Sequence, residues 1–138
     1  MPIVRIAPVC NGKIYVVPRV AADGESLRLD LPIEESGEHI STKSEKAARK
    51  IKEKYQAHIR TDASPRFCVQ YKSKPHHGRT AYLYVLPLRQ EDEILFHEGK
   101  FVSAEDIANH PDAYSRNLQE ESELLDMAAE LWKDFHTS

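Results

Sequence analysis

Thr42-Lys43-Ser44-Glu45-Lys46-Ala47-Ala48-Arg49-Lys50-Ile51-Lys52-Glu53-Lys54-Tyr55-Gln56-Ala57 is the segment that orders the rest of the chain. Thr42 with Glu45 three residues on fits a capping box, and Ile40 just ahead can staple onto the first turn. Ala47, Ala48, Ile51 and Tyr55 fall at helical spacing, which predicts a helix over about 43–57 with a narrow apolar stripe against a core. Its other face is basic. Thr42 to Ile59 carry six bases (Lys43, Lys46, Arg49, Lys50, Lys52, Lys54) against Glu45 and Glu53.

On either side of this helix the composition is that of strands. Ile3 to Val9 and Lys13 to Val17 are rich in β-branched residues, and Asn11-Gly12 between them is a two-residue hairpin turn. Pro18 ends the second run or places it at a sheet edge. After Asp23-Gly24, the alternation of Leu27, Leu29 and Leu31 with Arg28 and Asp30 suits a short strand with one buried face. Arg66 to Lys72 and Arg79 to Leu88 form a hairpin across Ser73-Lys74-Pro75-His76-His77-Gly78. Ile94 to His97 and Lys100 to Val102 read as a small final hairpin. Ser103 with Asp106 then caps a short helix through Ile107, and Pro111 opens another turn. Leu118, Leu124, Leu125, Ala128, Leu131, Trp132 and Phe135 form the broad apolar stripe of a C-terminal helix over about 118–135.

The 138 residues, 41% hydrophobic and 30% charged, read as one soluble domain over 1–138. The longest uncharged apolar runs, such as Ala81 to Leu88, are too short to span a bilayer, and the first residues read as a strand rather than a secretory signal. Cys10 and Cys68 are too few for a disulfide framework. Both lie in strand-like apolar contexts and read as buried thiols of a cytoplasmic protein. The formal net charge of -3 argues against general nucleic-acid binding, as does a basic helix without aromatic stacking partners. The acids from Leu118 to Ser138 (Glu120, Glu121, Glu123, Asp126, Glu130, Asp134) read as the wet face of the last helix. The stripe around Trp132 and Phe135 reads as core, with a homodimer seam as its other use.

Strands, helix, strands, helix imply a mixed sheet covered by helices. Four segments taken in order carry the reading further. They are Gly12 to Arg19, a hairpin strand ending in a base; Leu29-Asp30-Leu31-Pro32; Gly37-Glu38 followed by Ala47-Ala48-Arg49; and Gly99 to Ile107. Together they resemble the Nudix superfamily of nucleoside-diphosphate-linked pyrophosphohydrolases. That resemblance implies an α/β/α sandwich, Mg²⁺ as cofactor and hydrolysis of a diphosphate. It also implies ligand-binding roles for Arg19 and Glu38 and a catalytic or supporting role for Arg49 and Glu53.

The motif itself departs from the family. The family's box reads G-x5-E-x7-R-E-U-x-E-E-x-G-U, with U a bulky apolar residue. Aligned on Arg49, this chain matches at Arg49, Ile51 and Glu53, but Lys50 and Lys54 replace glutamates and Gln56 replaces a glycine. Ile33-Glu34 replaces the Gly-Gly turn. Positions 50, 53 and 54 share one helix face. Three carboxylates there form a bed of hard oxygen ligands for Mg²⁺. Lys50, Glu53 and Lys54 instead sum to +1, and at about 5 Å and an effective dielectric near 20 each lysine costs on the order of 3 kcal/mol per unit of the ion's charge. Glu53 is therefore the sole metal-ligand position left in the motif. Three readings follow. Lys50 and Lys54 contact the phosphates of a phosphorylated, nucleotide-like small molecule directly, without ordinary hydrolysis. Alternatively Glu34, Glu35 and Glu38 with Glu53 rebuild a displaced Mg²⁺ site. The third reading is a non-catalytic protein-interaction domain. Glu45 four residues before Arg49 suits a helical ion pair, and His76-His77 reads as a mobile polar hairpin tip.

Overall fold

A computed structural model describes residues 2–20, 24, 26–36 and 45–137, with the side chains of 45–46 and 128–137 left out. Gly37, Glu38, Ile40 and Thr42, and the side chains of Glu45, Trp132 and Phe135, lie outside the described residues.

β1 (Ile3–Cys10) and β2 (Lys13–Val20) meet at a two-residue turn in which Asn11 (φ 52°) and Gly12 (φ 78°) both take positive φ. That geometry matches the twist of the strands it joins. β1 is buried along its whole length and pairs in parallel with β6 (Arg79–Pro87) from Ile3↔Ala81 to Val9↔Pro87. The other edge of β1 is divided. At its start it pairs antiparallel with β4 (Ile33–Ser36), and at its end with β2 only at Val9↔Ile14 and Cys10↔Lys13. β2 runs on past β1 to pair with β3 (Leu27–Asp30) through Val17↔Asp30 to Val20↔Leu27. β5 (Arg66–Ser73) closes the far side against β6, with a bulge between Phe67 and Val69.

Helices cover both faces. β1 alternates, so Val4 and Ile6 face one layer while Ala7 and Val9 face the other. The first layer is α1 (Glu45–Glu53), whose Ala48 and Ile51 pack with Ile33, Tyr84 and Leu86. The second is α2 (Ala104–Asn109) with α3 (Arg116–Thr137), whose Ile107, Leu118 and Leu125 pack with Val9, Ile14 and Leu83. This is the expected α/β/α sandwich with a mixed sheet. Ser103 Oγ accepts from the Asp106 amide and starts α2, and Ser115 Oγ accepts from the Leu118 amide and starts α3. No helix among the described residues is long and apolar enough to cross a membrane.

Several sequence expectations need correction. The helix expected to reach 57 ends at Glu53. There the amides of Lys54, Tyr55 and Gln56 turn to carbonyls three residues back, and Ile59 is drawn under the sheet to bridge Ile94. α3 starts two residues earlier and ends two residues later than the apolar stripe implied. Pro18 does not end β2, which continues opposite Leu29; the edge reading of Pro18 holds, since among the described residues Val17 to Val20 pair with β3 on one side only. The final hairpin does not form. Residues 100–102 are β7 (Lys100–Val102), which pairs with β2. Gly99 makes this approach possible, because at φ 120° a Cβ would lie 2.5 Å from Tyr15 Oη and from the Val16 carbonyl oxygen. Cys10 is buried, but Cys68 is only half-buried.

Candidate functional site

The divided edge of β1 leaves a concavity between β3, β4 and the start of α3, with a volume of about 540 Å³. That lies within the ordinary range for small-molecule sites. β2 contributes Arg19 and Val20, and β3 contributes Arg28 and Asp30. Glu34 comes from β4, Pro75 and His76 from the β5–β6 turn, and Ser115, Arg116 and Asn117 from the start of α3.

Beneath this cavity lies Arg5, fully buried on β1. Its Nε and Nη2 donate to both oxygens of Glu121 at 2.8 Å, Nη2 also reaches Asp30 Oδ1 at 2.7 Å, and Nη1 reaches Glu34 Oε1 at 2.6 Å. Tyr71 Oη donates to Glu121 Oε2 at 2.8 Å. Burial disfavours the Arg5 charge, but Glu121 and Asp30 outweigh it and hold the guanidinium pKa well above its ordinary value. Burial likewise pushes Asp30 up. Arg5, the Leu31 amide and the Ser115 hydroxyl overcome that and leave its carboxyl below the usual range. One guanidinium thus ties β1 to β3, β4 and α3, three of the elements around the cavity.

The cavity's polar wall is fixed by a second network. Ser73 Oγ donates to Asn117 Oδ1 at 2.6 Å, and His76 Nδ1 lies 2.9 Å from Ser73 Oγ and 3.0 Å from Asn117 Nδ2. His76 Nε2 then sits 3.9 Å from Glu34 Oε1. His76 is therefore a held part of the wall, not the mobile polar tip read from the sequence. His77 takes the left-handed turn position beside it (φ 57°).

The three remaining cations have a different environment. Arg19 and Arg28 are direct cross-strand partners in β2–β3, so their side chains leave the sheet on one side. Like charges so placed repel. Arg19 Nη2 donates to the Pro32 carbonyl at 2.6 Å, and Arg28 Nη1 to the Pro111 carbonyl at 3.3 Å. Among the described residues, neither they nor Arg116 forms an ion pair with a carboxylate.

The motif residues lie elsewhere. Arg49, Lys50 and Glu53 are exposed on α1. Lys54 follows in the turn, largely exposed, with Nζ 3.8 Å from Glu35 Oε1. Tyr55 Oη donates to the same oxygen at 3.4 Å, and burial together with Glu35 raises the phenol's pKa. None of Arg49, Lys50, Glu53 and Lys54 lines the cavity, whereas Arg19 does. Glu34 and Glu35, neighbours on β4, project to opposite faces. Arg5 holds the first, and Lys54 and Tyr55 flank the second, so the strand does not bring them together. No group of three histidines, cysteines or acids able to hold a metal occurs among the described residues. The described side chains do not fit the Mg²⁺ bed that the family resemblance implies.

Sequence reasoning missed Arg5, Arg28, Asp30, Arg116, Asn117 and Glu121. Two of these had a visible mark: Arg5 interrupts an otherwise apolar strand, and Glu121 falls on the stripe of Leu118 and Leu125, so it is buried rather than on the wet face.

Solved structures share this architecture. The C-terminal domain of mouse MUTYH, solved in complex with human PCNA, matches with a TM-score of 0.62 at 12% identity, over 99% of this chain and 90% of that one. A MutT protein from Methanosarcina mazei matches with a TM-score of 0.59 at 15% identity, over 93% and 94%. A NUDIX hydrolase from Nitrosomonas europaea matches with a TM-score of 0.52 at 13% identity, over 94% and 88%. No family model matches the sequence, and no curated protein is significantly similar to it. The chain has the Nudix fold.

Proposed function

We propose that this Nudix-fold domain binds a phosphorylated, nucleotide-like small molecule in the cavity between β3, β4 and α3, without ordinary Mg²⁺-dependent hydrolysis at the α1 motif. The observation that carries the reading is the convergence of Arg19, Arg28 and Arg116 on one cavity, with backbone carbonyls rather than carboxylates as the partners of the first two among the described residues. Planar guanidinium groups match phosphate oxygens two at a time. A multivalent anion seated among them relieves the repulsion between Arg19 and Arg28. The polar wall of Glu34, His76 and Asn117 then faces the organic part of the ligand with both donors and acceptors. Two unpaired thiols suit the reducing cytoplasm.

Lys50 and Lys54 stand where the family has metal-binding glutamates. The test is thermal stability with ADP-ribose and a nucleotide panel, in Mg²⁺ and in EDTA. A ligand at about 100 times its dissociation constant adds roughly 2.7 kcal/mol. Stabilisation that persists in EDTA supports the reading. Stabilisation that strictly needs Mg²⁺, with turnover lost on Glu53→Gln, supports a displaced catalytic site instead. A second reading, the fold reused for protein interaction, draws support from the MUTYH domain solved with PCNA. A domain insensitive to every nucleotide would favour it.

A further inference from the structure

The cavity's carboxylates pose a problem for an anion site. Asp30 and Glu34 line it, and Glu121 lies fully buried directly beneath. Three acids converging on one point, left alone, would attract a divalent cation and repel phosphate. A guanidinium occupies that point. Arg5 reaches Asp30, Glu34 and Glu121 at 2.6–2.8 Å, with no exposed surface of its own. Its pairing with Glu121 is bidentate, the geometry that fixes a planar fork most firmly.

We propose that Arg5 is the specificity-determining residue of the cavity: its buried guanidinium takes up the charge of Asp30, Glu34 and Glu121, so that a phosphate group sits directly on Arg19, Arg28 and Arg116 rather than through a divalent cation. This rests on the phosphate-binding reading of the cavity. Charge bookkeeping carries it. Burial raises the Glu121 carboxyl, while Arg5 and Tyr71 favour its charged form; with all three acids ionised, Arg5 against them leaves a residue of -2, and the three wall arginines turn the sum to +1. Removing Arg5 brings the sum to zero and leaves three acids without their shared cation. Removing one acid raises it to +2. Glu34 is the acid to change, because of the three it is the most exposed, at 26%, and binds Arg5 through a single bond. On this account Glu34 restrains anion affinity.

The test is calorimetric titration of wild type, Glu34→Gln and Arg5→Met with inorganic pyrophosphate in EDTA, and separately with Mn²⁺ alone. The expected results are pyrophosphate binding by wild type without metal, binding tightened about tenfold in Glu34→Gln, and binding weakened about tenfold or more in Arg5→Met. Arg5→Met should also gain Mn²⁺ binding that wild type lacks. Pyrophosphate binding unchanged or weakened in Glu34→Gln would overturn the proposal while leaving the phosphate-binding reading intact. So would Arg5→Met, shown folded by circular dichroism, with wild-type affinities for both probes. Should Arg5→Met not fold, Glu34→Gln decides alone. Failure of wild type to bind pyrophosphate or any phosphorylated ligand would instead sink the functional reading, and gain of Mn²⁺ binding in Arg5→Met would still support the role of Arg5.

Discussion

Arg5→Met should be among the most destabilising single substitutions in this protein. Arg5 makes four hydrogen bonds to three carboxylates, and both it and Glu121 are completely buried. Methionine fills most of the volume but strands Glu121 in the core, with Tyr71 Oη as its remaining donor. Breaking a buried pair from one side costs about 3–5 kcal/mol, because the surviving charge loses its compensation. At about 2.1 cal/mol/K per residue, unfolding 138 residues carries roughly 0.3 kcal/mol/K, so the midpoint should fall by about 10–17 °C. Differential scanning calorimetry at pH 7 measures this directly. The double variant Arg5→Met with Glu121→Gln should recover part of the loss, since a neutral amide replaces the stranded carboxylate. An Arg5→Met protein within about 1 kcal/mol of wild type, or a double variant less stable than the single one, would refute the claim that the pairing holds these walls together.

Other outcomes follow from the same geometry. Gly99→Ala should cost more than about 2 kcal/mol in urea denaturation, because its Cβ would meet Tyr15 and the Val16 carbonyl at a backbone angle that alanine resists. Asp30 has a folded pKa below its unfolded value, so the stability it contributes is complete above about pH 4 and is lost as pH falls through the lowered value. The acid limb of a melting-temperature profile should therefore flatten in Asp30→Asn. Arg28→Gln and Arg116→Gln should each weaken metal-free pyrophosphate binding about tenfold, the scale of a charged hydrogen bond. Lys50→Glu with Lys54→Glu should leave the same affinity within about threefold, since neither lysine lines the cavity.

The layering of the fold was legible because each layer has its own period. Residues 27–31 alternate by two, Ala48 and Ile51 step by three, and Asn11-Gly12 fixes a turn by itself. β4 escaped notice because its four residues carry a single apolar side chain, Ile33, and its pairing with β1 is a long-range event that local pattern cannot register. β7 was found, but its partner was misread. The nearest strand in sequence is not its neighbour in space, because β7 takes the edge of β2 that faces away from β1. The site was less legible for a similar reason. Alignment on the α1 motif drew attention to Lys50 and Lys54, while the cavity is built by Arg28, Glu34, His76 and Arg116 from four separate elements. Of the described site candidates read from the sequence, Arg19 and Glu34 line it. A lone arginine in an apolar strand and a lone glutamate on an apolar helical stripe each look like an exception; as a pair they are the mark of a buried ion bridge.

Titration of the wild-type protein with inorganic pyrophosphate in EDTA, at low and at high ionic strength, tests the central claim most directly. The account predicts binding without metal that weakens as salt screens the three arginines. Binding that appears only on adding Mg²⁺ would contradict it and return the chemistry to a displaced Mg²⁺ site on Glu34, Glu35, Glu38 and Glu53.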